Sequence, residues 1–249
     1  MLLISFGTRP EYIKIKPILK SIEGKINYRL LFTGQHLDLL SNIEEDADRV
    51  LIDDGPNRLD SIVCSILANT HVFSDIDYVL VQGDTTSAFA TALAAFHKKI
   101  KIIHLEAGLR TYNKSEPYPE EFNRQCISRM ADIHLCPTDT SKFNLVSEKI
   151  NGEKYVVGNT VLDNLKHVEV QNSNKVIVTM HRRENHYNLD EWFWHINELA
   201  KQYKNLEFII PLHPNPNVQK NAHFLKNVNV IDPLDYDNFI SLLASSSLV

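Results

Sequence analysis

Short apolar runs alternate with longer amphipathic segments along the first part of the chain. Apolar runs of strand length occupy residues 2–6, 28–33, 78–82, 101–106 and 133–137. The segments at 10–22, 58–73 and 85–99 have the apolar spacing or the Ala-rich composition of helices, and Thr85 and Thr86 are plausible caps for the last. This alternation predicts βαβ units and an α/β fold whose parallel sheet is covered on both faces.

A second series of the same kind follows a polar stretch at 168–175. It has strand-like runs at 175–180, 206–212 and 228–232, a helix over 189–203 and another from about Asp237. We therefore predict two Rossmann-like domains, residues 1–168 and residues 169–249. Residues 245–249 look like the start of a further strand. Because strands of a doubly wound sheet need partners on both sides, we expect the second domain to be truncated at its C-terminal end or completed by a partner.

The composition narrows the possible partners and the compartment. The chain has 249 residues and a net charge of −5, without the clustered basic surface that nucleic acid or anionic membranes attract. Its three cysteines, Cys64, Cys126 and Cys136, form no metal-binding pattern and suggest reduced thiols. The N-terminal run lacks the basic segment of a signal peptide, and no stretch has the length of a membrane span. We expect a cytoplasmic protein that binds neither nucleic acid nor membranes.

Polar side chains follow the ends of the predicted strands of the first domain. The first strand exits into Gly7, Arg9 and Pro10, and Lys14 lies about one helical turn further on. Ligands of parallel α/β sheets gather beyond the carboxyl ends of the strands, and Arg binds phosphate well. We therefore expect a phosphate-binding loop here, with Gly7 allowing a tight turn.

The next three strands exit into further candidate residues, namely Gln35, His36, Asp84 and Glu106. Taken alone, Asp84 is better interpreted as a helix cap. Glu106 has an equally simple alternative, an ion pair with Arg110 four residues later. His181 and His213 follow the first two strands of the second domain. The convergence of so many ionisable groups at strand exits is what favours a catalytic cleft.

The arrangement suits a phosphorylated substrate that undergoes proton transfer, with cations at the rim and carboxylates and imidazoles inside. The chain has no Walker motif and no GxGxxG, so ATP-dependent and nicotinamide chemistry are disfavoured. No spacing requires a metal. We predict an enzyme without a metal or another cofactor.

At these residues the chain closely resembles the non-hydrolysing UDP-N-acetylglucosamine 2-epimerases, which have the two-domain GT-B fold. The matching motifs, in family order over nearly the whole chain, are FGTRPEYIKIKP, TGQH, VQGDTTSAFATALAAF, HLEAGLRT, PYPEEFNR, VGNTVLDNL, HRREN and HPNPNV. The resemblance implies interconversion of UDP-GlcNAc and UDP-ManNAc, a place in polysaccharide biosynthesis and a homodimer. In this family the sugar loses its carbon-2 proton and UDP by anti elimination, and UDP adds back after the proton returns to the opposite face.

The resemblance also implies roles for individual residues, position by position. The family's catalytic groups fall on Asp84, Glu106, Glu120 and His181. Its substrate-binding groups fall on Arg9, Lys14, His36, Arg110 and His213. The resemblance does not say which carboxylate removes the proton, but an unperturbed carboxylate with a pKa of about 4 is a weak base, so burial must tune the one that does.

Many bacterial members hold a second, regulatory UDP-GlcNAc, and Gln35, Glu121 and Arg182 match positions that contact it. Two other positions differ, because Asp38 stands where Gln or Glu is usual and Ser65 stands where Arg is expected. We therefore expect allosteric activation to be weakened or lost. Family members also continue beyond the last strand with a TDSGGxQEE motif that binds the diphosphate. The pocket is accordingly expected to be incomplete in these 249 residues.

Three other functions are compatible with these motifs. A hydrolysing relative would release UDP and free ManNAc, and close relatives epimerise other UDP-2-acetamido sugars. The expected truncation would also suit a non-catalytic module that binds a nucleotide sugar. A GT-B glycosyltransferase is less favoured, since it would not need the full set of acid and base positions.

Overall fold

The computed structural model describes residues 1–35, 46–171, 173–180 and 188–249, and these form two compact units, Met1–Asn164 and Leu165–Val249. The division falls a few residues before the boundary expected from the sequence. Within the described part, both units alternate parallel strands with helices, as the apolar pattern predicts.

The first unit is built on a sheet of seven parallel strands. In chain order its strands are β1 Leu2–Phe6, β2 Tyr28–Phe32, β3 Asp48–Arg49, β4 Tyr78–Gln82, β5 Lys101–Leu105, β6 Ile133–Cys136 and β7 Glu153–Val156. Its helices are α1 Arg9–Ile22, α2 Arg58–Ala68, α3 Thr86–His97, α4 Glu120–Met130 and α5 Asp139–Ser147. The short edge strands β3 and β7 are absent from the prediction because they lack an apolar run.

The strand order β3-β2-β1-β4-β5-β6-β7 begins with the order of dinucleotide-binding sheets. The direction of winding reverses between β1 and β4, which pair in parallel register. A crevice opens at such a reversal beyond the carboxyl ends of the strands, and ligands bind there. The loops that follow β1 and β4 are therefore the first place to look for a site.

Both faces of this sheet are buried, because successive side chains of a strand point to opposite sides. Leu3, Val79 and Val81 belong to one apolar cluster together with residues of α2 and α3. Ile4 and Phe6, on the other face, pack with residues of α1. The short Ala side chains of α3 are buried against the sheet.

The second unit repeats the pattern on a smaller scale. Its strands are β8 Lys175–Ile177, β9 Glu207–Pro211 and β10 Asn229–Ile231, and its helices are α6 Leu189–Gln202, α7 Pro216–Gln219 and α8 Tyr236–Ala244. The strands are parallel in the order β10-β9-β8. Leu248 forms a parallel bridge with Val176, on the free side of β8. This agrees with the expectation that residues 245–249 begin another strand.

Candidate active site

Glu106 lies at the exit of β5 with its side chain between two donors of the same unit. Its Oε2 accepts a hydrogen bond from Lys14 Nζ at 2.5 Å and another from the Gln82 amide. The sequence offered an ion pair with Arg110 as the alternative. That alternative is wrong, because Glu106 pairs with Lys14 and Arg110 pairs with Glu148. The backbone of Glu106 has φ +65°, in the left-handed region that costs a non-glycine residue about 1 kcal/mol or more. Strain of this kind clusters at functional sites.

Asp84, at the exit of β4, is held by helix α4. Its carboxylate contacts Arg124 at 2.5 Å, and its backbone carbonyl accepts from the Asn123 amide at 2.9 Å. The cap of α3 is Thr85, whose hydroxyl accepts from Ala88 N–H at 3.0 Å, so the interpretation of Asp84 as a helix cap is wrong. Asp84 is thus left available for chemistry.

Burial raises the pKa of Asp84 above its ordinary value, although the Arg124 charge opposes the shift. The negative charges of Glu106 and Glu120 also raise it, and Lys14 lowers it. Glu120, the first residue of α4, is half-buried. Glu106 and Glu120 are therefore close enough to influence the ionisation of Asp84. The three carboxylates that the resemblance names as catalytic lie in one electrostatic neighbourhood.

Glu121 lies next to Glu120 but in a different environment, fully buried under the loop that precedes α4. It accepts hydrogen bonds from the backbone N–H groups of Thr111 and Tyr112 at 2.9 and 3.1 Å and from the Gln125 amide at 2.7 Å. Burial alone raises the pKa of Glu121, but these hydrogen bonds and the charge of Arg124 outweigh it and lower that pKa. All of its described contacts are with the protein's own loop and with α4.

Arg110 is likewise occupied by the protein. Its fully buried side chain donates to the Glu148 carboxylate at 2.7 and 3.0 Å, to the Ser128 hydroxyl and to the Leu109 carbonyl. These contacts join the loop after β5 to α4 and α5. A substrate contact by Arg110 stays a prediction, and these bonds do not favour it.

The remaining predicted residues have more open surroundings. Arg9 is exposed at the first position of α1, one turn before Lys14. Gln35 accepts from the Ser87 hydroxyl at 2.7 Å, at the first turn of α3. In the second unit His213 is exposed after β9, and its Nδ1 accepts from Asn215 N–H at 3.1 Å. His36, His181 and Arg182 lie outside the described residues.

Gly7 has a different purpose from the tight turn predicted for it. A Cβ atom there would lie 2.3 Å from the Thr33 hydroxyl and 2.6 Å from that of Ser87. Only glycine therefore allows the exit of β1 to approach the exit of β2 and the first turn of α3 so closely. The close approach brings the phosphate-side loop next to the loop that carries Asp84.

Sequence reasoning missed the partners of the carboxylates, chiefly Gln82, Arg124 and Glu11. Arg124 ends the quoted motif PYPEEFNR, and its spacing of three and four residues from the two glutamates is that of neighbours on a helix face. Glu11 is three residues after Thr8, the spacing of a helix-capping glutamate. Gln82 has no such signal, because it is the last residue of an apolar strand.

The described residues show neither a metal-binding cluster nor a membrane-spanning helix. In those residues no group of three or more His, Cys, Asp or Glu side chains is arranged to hold a metal ion. Among the helices that the structure describes, none is long and apolar enough to cross a membrane.

Comparison with known proteins gives one consistent family. The family model described as UDP-N-acetylglucosamine 2-epimerase matches residues 20–249. The UDP-N-acetylglucosamine 2-epimerase of Neisseria meningitidis serogroup A is 41% identical, over 98% of this chain and 75% of its own length. That of Campylobacter jejuni is 38% identical, over 100% of this chain and 75% of its own length.

The fold agrees with the sequence match. The crystal structure of the Neisseria meningitidis UDP-GlcNAc 2-epimerase, which is bound to UDP-GlcNAc, superposes with a TM-score of 0.84 at 37% identity and covers 98% of this chain and 76% of that one. The predicted GT-B type of α/β fold is thereby confirmed. With a family model across most of its length and relatives above 30% identity, the chain belongs to the UDP-N-acetylglucosamine 2-epimerase family.

Proposed function

We propose that the protein is an isomerase that interconverts UDP-GlcNAc and UDP-ManNAc. The observation that carries the proposal is the neighbourhood of Asp84 and Glu106 at strand exits and Glu120 at the start of α4, with Lys14 as a cation among them. Family relatives named as UDP-N-acetylglucosamine 2-epimerases support the choice of substrate.

The chemistry explains why several carboxylates are needed. Inversion at carbon 2 requires a base that removes the proton on one face of the sugar and an acid that returns it on the other. The C1–O bond to UDP breaks as the proton leaves, giving 2-acetamidoglucal and UDP, and it forms again after the proton has returned. A catalytic group works best when its pKa is near the working pH, and burial moves the pKa of Asp84 in that direction. Asp84 is accordingly our first candidate for one of the two proton-transfer groups.

The cations have a separate task in this proposal. Lys14 neutralises Glu106 at 2.5 Å and, on the same helix, Arg9 is exposed to solvent. We assign both to the diphosphate of the substrate, whose negative charge increases as UDP departs. Electrostatic stabilisation of a leaving group in this way is often the largest single contribution to a rate.

The test is incubation of the protein with UDP-GlcNAc in deuterated water, followed by NMR and mass analysis. We expect UDP-ManNAc with deuterium at carbon 2, and deuterium in the recovered UDP-GlcNAc. Accumulation of free ManNAc with UDP would indicate the hydrolysing reaction instead. Absence of both exchange and product would contradict the proposal. Other UDP-2-acetamido sugars, tested in the same way, identify the preferred substrate.

We also propose that the protein works as a homodimer and supplies an activated sugar for polysaccharide synthesis. Both ideas come from the family resemblance. Light scattering during size-exclusion chromatography tests the first, and a single species with the 28.6 kDa mass of one chain would contradict it. The roles of His36, His181 and His213 in binding and catalysis also stay predictions.

A further inference from the structure

Glu11 is a buried carboxylate that connects two strand-exit loops. The residue is 2% exposed, and its Oε2 accepts from the N–H groups of Gly7 and Thr8 at 3.0 and 2.7 Å and from the Thr8 hydroxyl at 2.7 Å. Its Oε1 accepts from the Thr85 hydroxyl at 2.9 Å. Each oxygen of one carboxylate therefore serves a different loop, the one after β1 and the one after β4.

Capping of α1 explains only the first half of this arrangement. A glutamate at the third position of a helix commonly accepts from the N–H of the capping residue. The bond to Thr85 spans 74 residues of sequence and contributes nothing to that cap. Since burial of a carboxylate is unfavourable unless its lone pairs are used, the second oxygen needs the Thr85 hydroxyl as its partner.

Thr85 connects the bond from Glu11 to the neighbouring residue Asp84 and to helix α3. Its hydroxyl donates to Glu11 and accepts from Ala88 N–H at 3.0 Å, so the same group caps α3. Asp84 is the preceding residue, and its backbone carbonyl is held on the other side by Asn123. The position of Glu11 is thus linked to that of Asp84 through one hydroxyl group.

We propose that Glu11 is a positioning residue that locks the loop carrying Arg9 to the loop carrying Asp84. The proposal rests on the proposed function, since it assigns the phosphate side of the substrate to the first loop and proton transfer to the second. A shift of about 1 Å between binding and reacting groups can cost about 100-fold in rate. A single carboxylate bonded to both loops limits how far the two loops can shift relative to each other.

The first experiment separates the lock from simple helix capping. Thr85→Val removes the hydroxyl with little change of size, whereas Thr85→Ser keeps it. Thr138 is a matched control, because its hydroxyl caps α5 by accepting from Ser141 N–H at 3.1 Å without contacting Glu11. We expect Thr85→Val to lower kcat about 10- to 100-fold with KM changed less than about twofold. Thr85→Ser and Thr138→Val should keep kcat within about threefold.

The second experiment changes the carboxylate itself. Glu11→Gln leaves a single accepting oxygen, so only one of the two loops retains its acceptor. Because loss of the acceptor on either side uncouples the loop with Arg9 from the loop with Asp84, we expect kcat to fall and KM to rise together. In the double variant with Thr85→Val, the loss in kcat should be smaller than the product of the two single losses, since both remove the same bond.

A readout without substrate distinguishes failure of the lock from failure of the proposed function. Hydrogen exchange of Glu11→Gln should be faster at the amide of Ala88, which Glu11 does not touch, and unchanged at Ser141. If only Gly7 and Thr8 respond, Glu11 is a local cap and the proposal is wrong. Equal losses of kcat in Thr85→Val and Thr138→Val would overturn it as well. If the wild-type protein is inactive but the exchange at Ala88 still depends on Glu11, the proposed reaction is wrong and the proposed positioning role of Glu11 is retained.

Discussion

Two acidic regions of the first unit differ in what their carboxylates contact. In the exit cluster, which we define as Lys14, Gln82, Asp84 and Glu106, each carboxylate is partly exposed and pairs with a cation. In the Glu121 clamp, formed by Glu121 and the donors of Thr111, Tyr112 and Gln125, the carboxylate is fully buried and its oxygens are occupied. A carboxylate whose lone pairs are filled by its own chain holds structure. One that pairs with a cation at a partly exposed strand exit can exchange that partner for a substrate.

Arg124 connects the two regions. Its guanidinium lies 2.5 Å from Asp84 and 3.6 Å from Glu121. The loop that Glu121 holds is therefore linked by one side chain to the ionisation of Asp84. The two regions are distinct in role but not independent, and the following variants separate them.

The largest expected effect is the loss of Asp84 as a proton-transfer group. Asp84→Asn keeps the size of the side chain but cannot take up a proton, so we expect carbon-2 exchange to slow by about 1000-fold. The unfolding temperature should fall as well, because Arg124 loses the charge of its partner, but the variant should remain folded at the assay temperature. Asp139→Asn, in the first turn of α5, is the control and should retain full activity. If Asp84→Asn keeps more than about a tenth of the rate, Asp84 is not the proton-transfer group.

Substitutions of Glu120 and Glu121 should separate an effect on activity from an effect on stability. Glu121→Gln should lower the free energy of unfolding by about 2–3 kcal/mol, because a buried charged acceptor loses bonds that an amide cannot replace. Glu120→Gln should lower activity with little change in stability. Urea denaturation of both variants measures the first effect, and the deuterium assay measures the second.

The pH dependence of the Glu121 effect has a defined sign. The folded-state pKa of Glu121 is lowered, so its stabilisation is fully present above the unfolded value of about 4.3 and is lost as the pH falls from that value through the lower folded-state pKa. The stability difference between wild type and Glu121→Gln should shrink accordingly in acid. A difference that stays constant down to low pH would show that the bonds to Glu121 do not depend on its charge.

An effect that is small at neutral pH and appears only in acid is expected from His104, which supports the exit cluster from inside the sheet. Its Nε2 bonds to the Gly83 carbonyl at 2.8 Å, and burial lowers the pKa of His104 to about 3. Because the unfolded imidazole titrates near 6.5, stability should fall as the pH drops from about 6.5 toward 3, by at most about 1.4 kcal/mol per pH unit. His104→Gln should make that slope shallower. His97→Gln, at an exposed site on α3, should not.

The smallest expected effect is a change in the pH profile when Arg124 is removed. Arg124 lowers the pKa of Asp84, so Arg124→Gln should raise that pKa further. If Asp84 acts as the base, the acid limb of kcat against pH moves to higher pH. Arg129→Gln, at an exposed position of the same helix, is the control. An unmoved acid limb would mean that another group sets it.

Much of this fold could be predicted from the apolar pattern, because burial on both faces of a parallel sheet requires continuous apolar runs. The strands at 2–6 and 78–82 were predicted with the bounds that the structure has, and so was the cap at Thr85. The edge strands β3 and β7 were not, since an edge strand with exposed side chains has no apolar run to detect.

The candidate site could be predicted from the sequence to a similar extent. The exits of β1, β4 and β5 were predicted because chain order and the parallel sheet bring them to one edge. The partners at those exits were not, since local spacing suggested Arg110 for Glu106, whereas the partner is Lys14, 92 residues away in sequence. A pairing over such a distance depends on which helix crosses which strand end.

The sequence by itself determined the alternation of strands and helices, the family and the positions of the ionisable groups. These follow from local periodicity and from motifs that are contiguous in the chain. Only the tertiary structure decided that Glu120 and Glu121 have different surroundings, that Arg124 joins Asp84 to the Glu121 clamp, and that Glu11 binds Thr85. Burial and hydrogen bonding between distant segments decide these roles, because they set the charge, the pKa and the accessibility of each carboxylate.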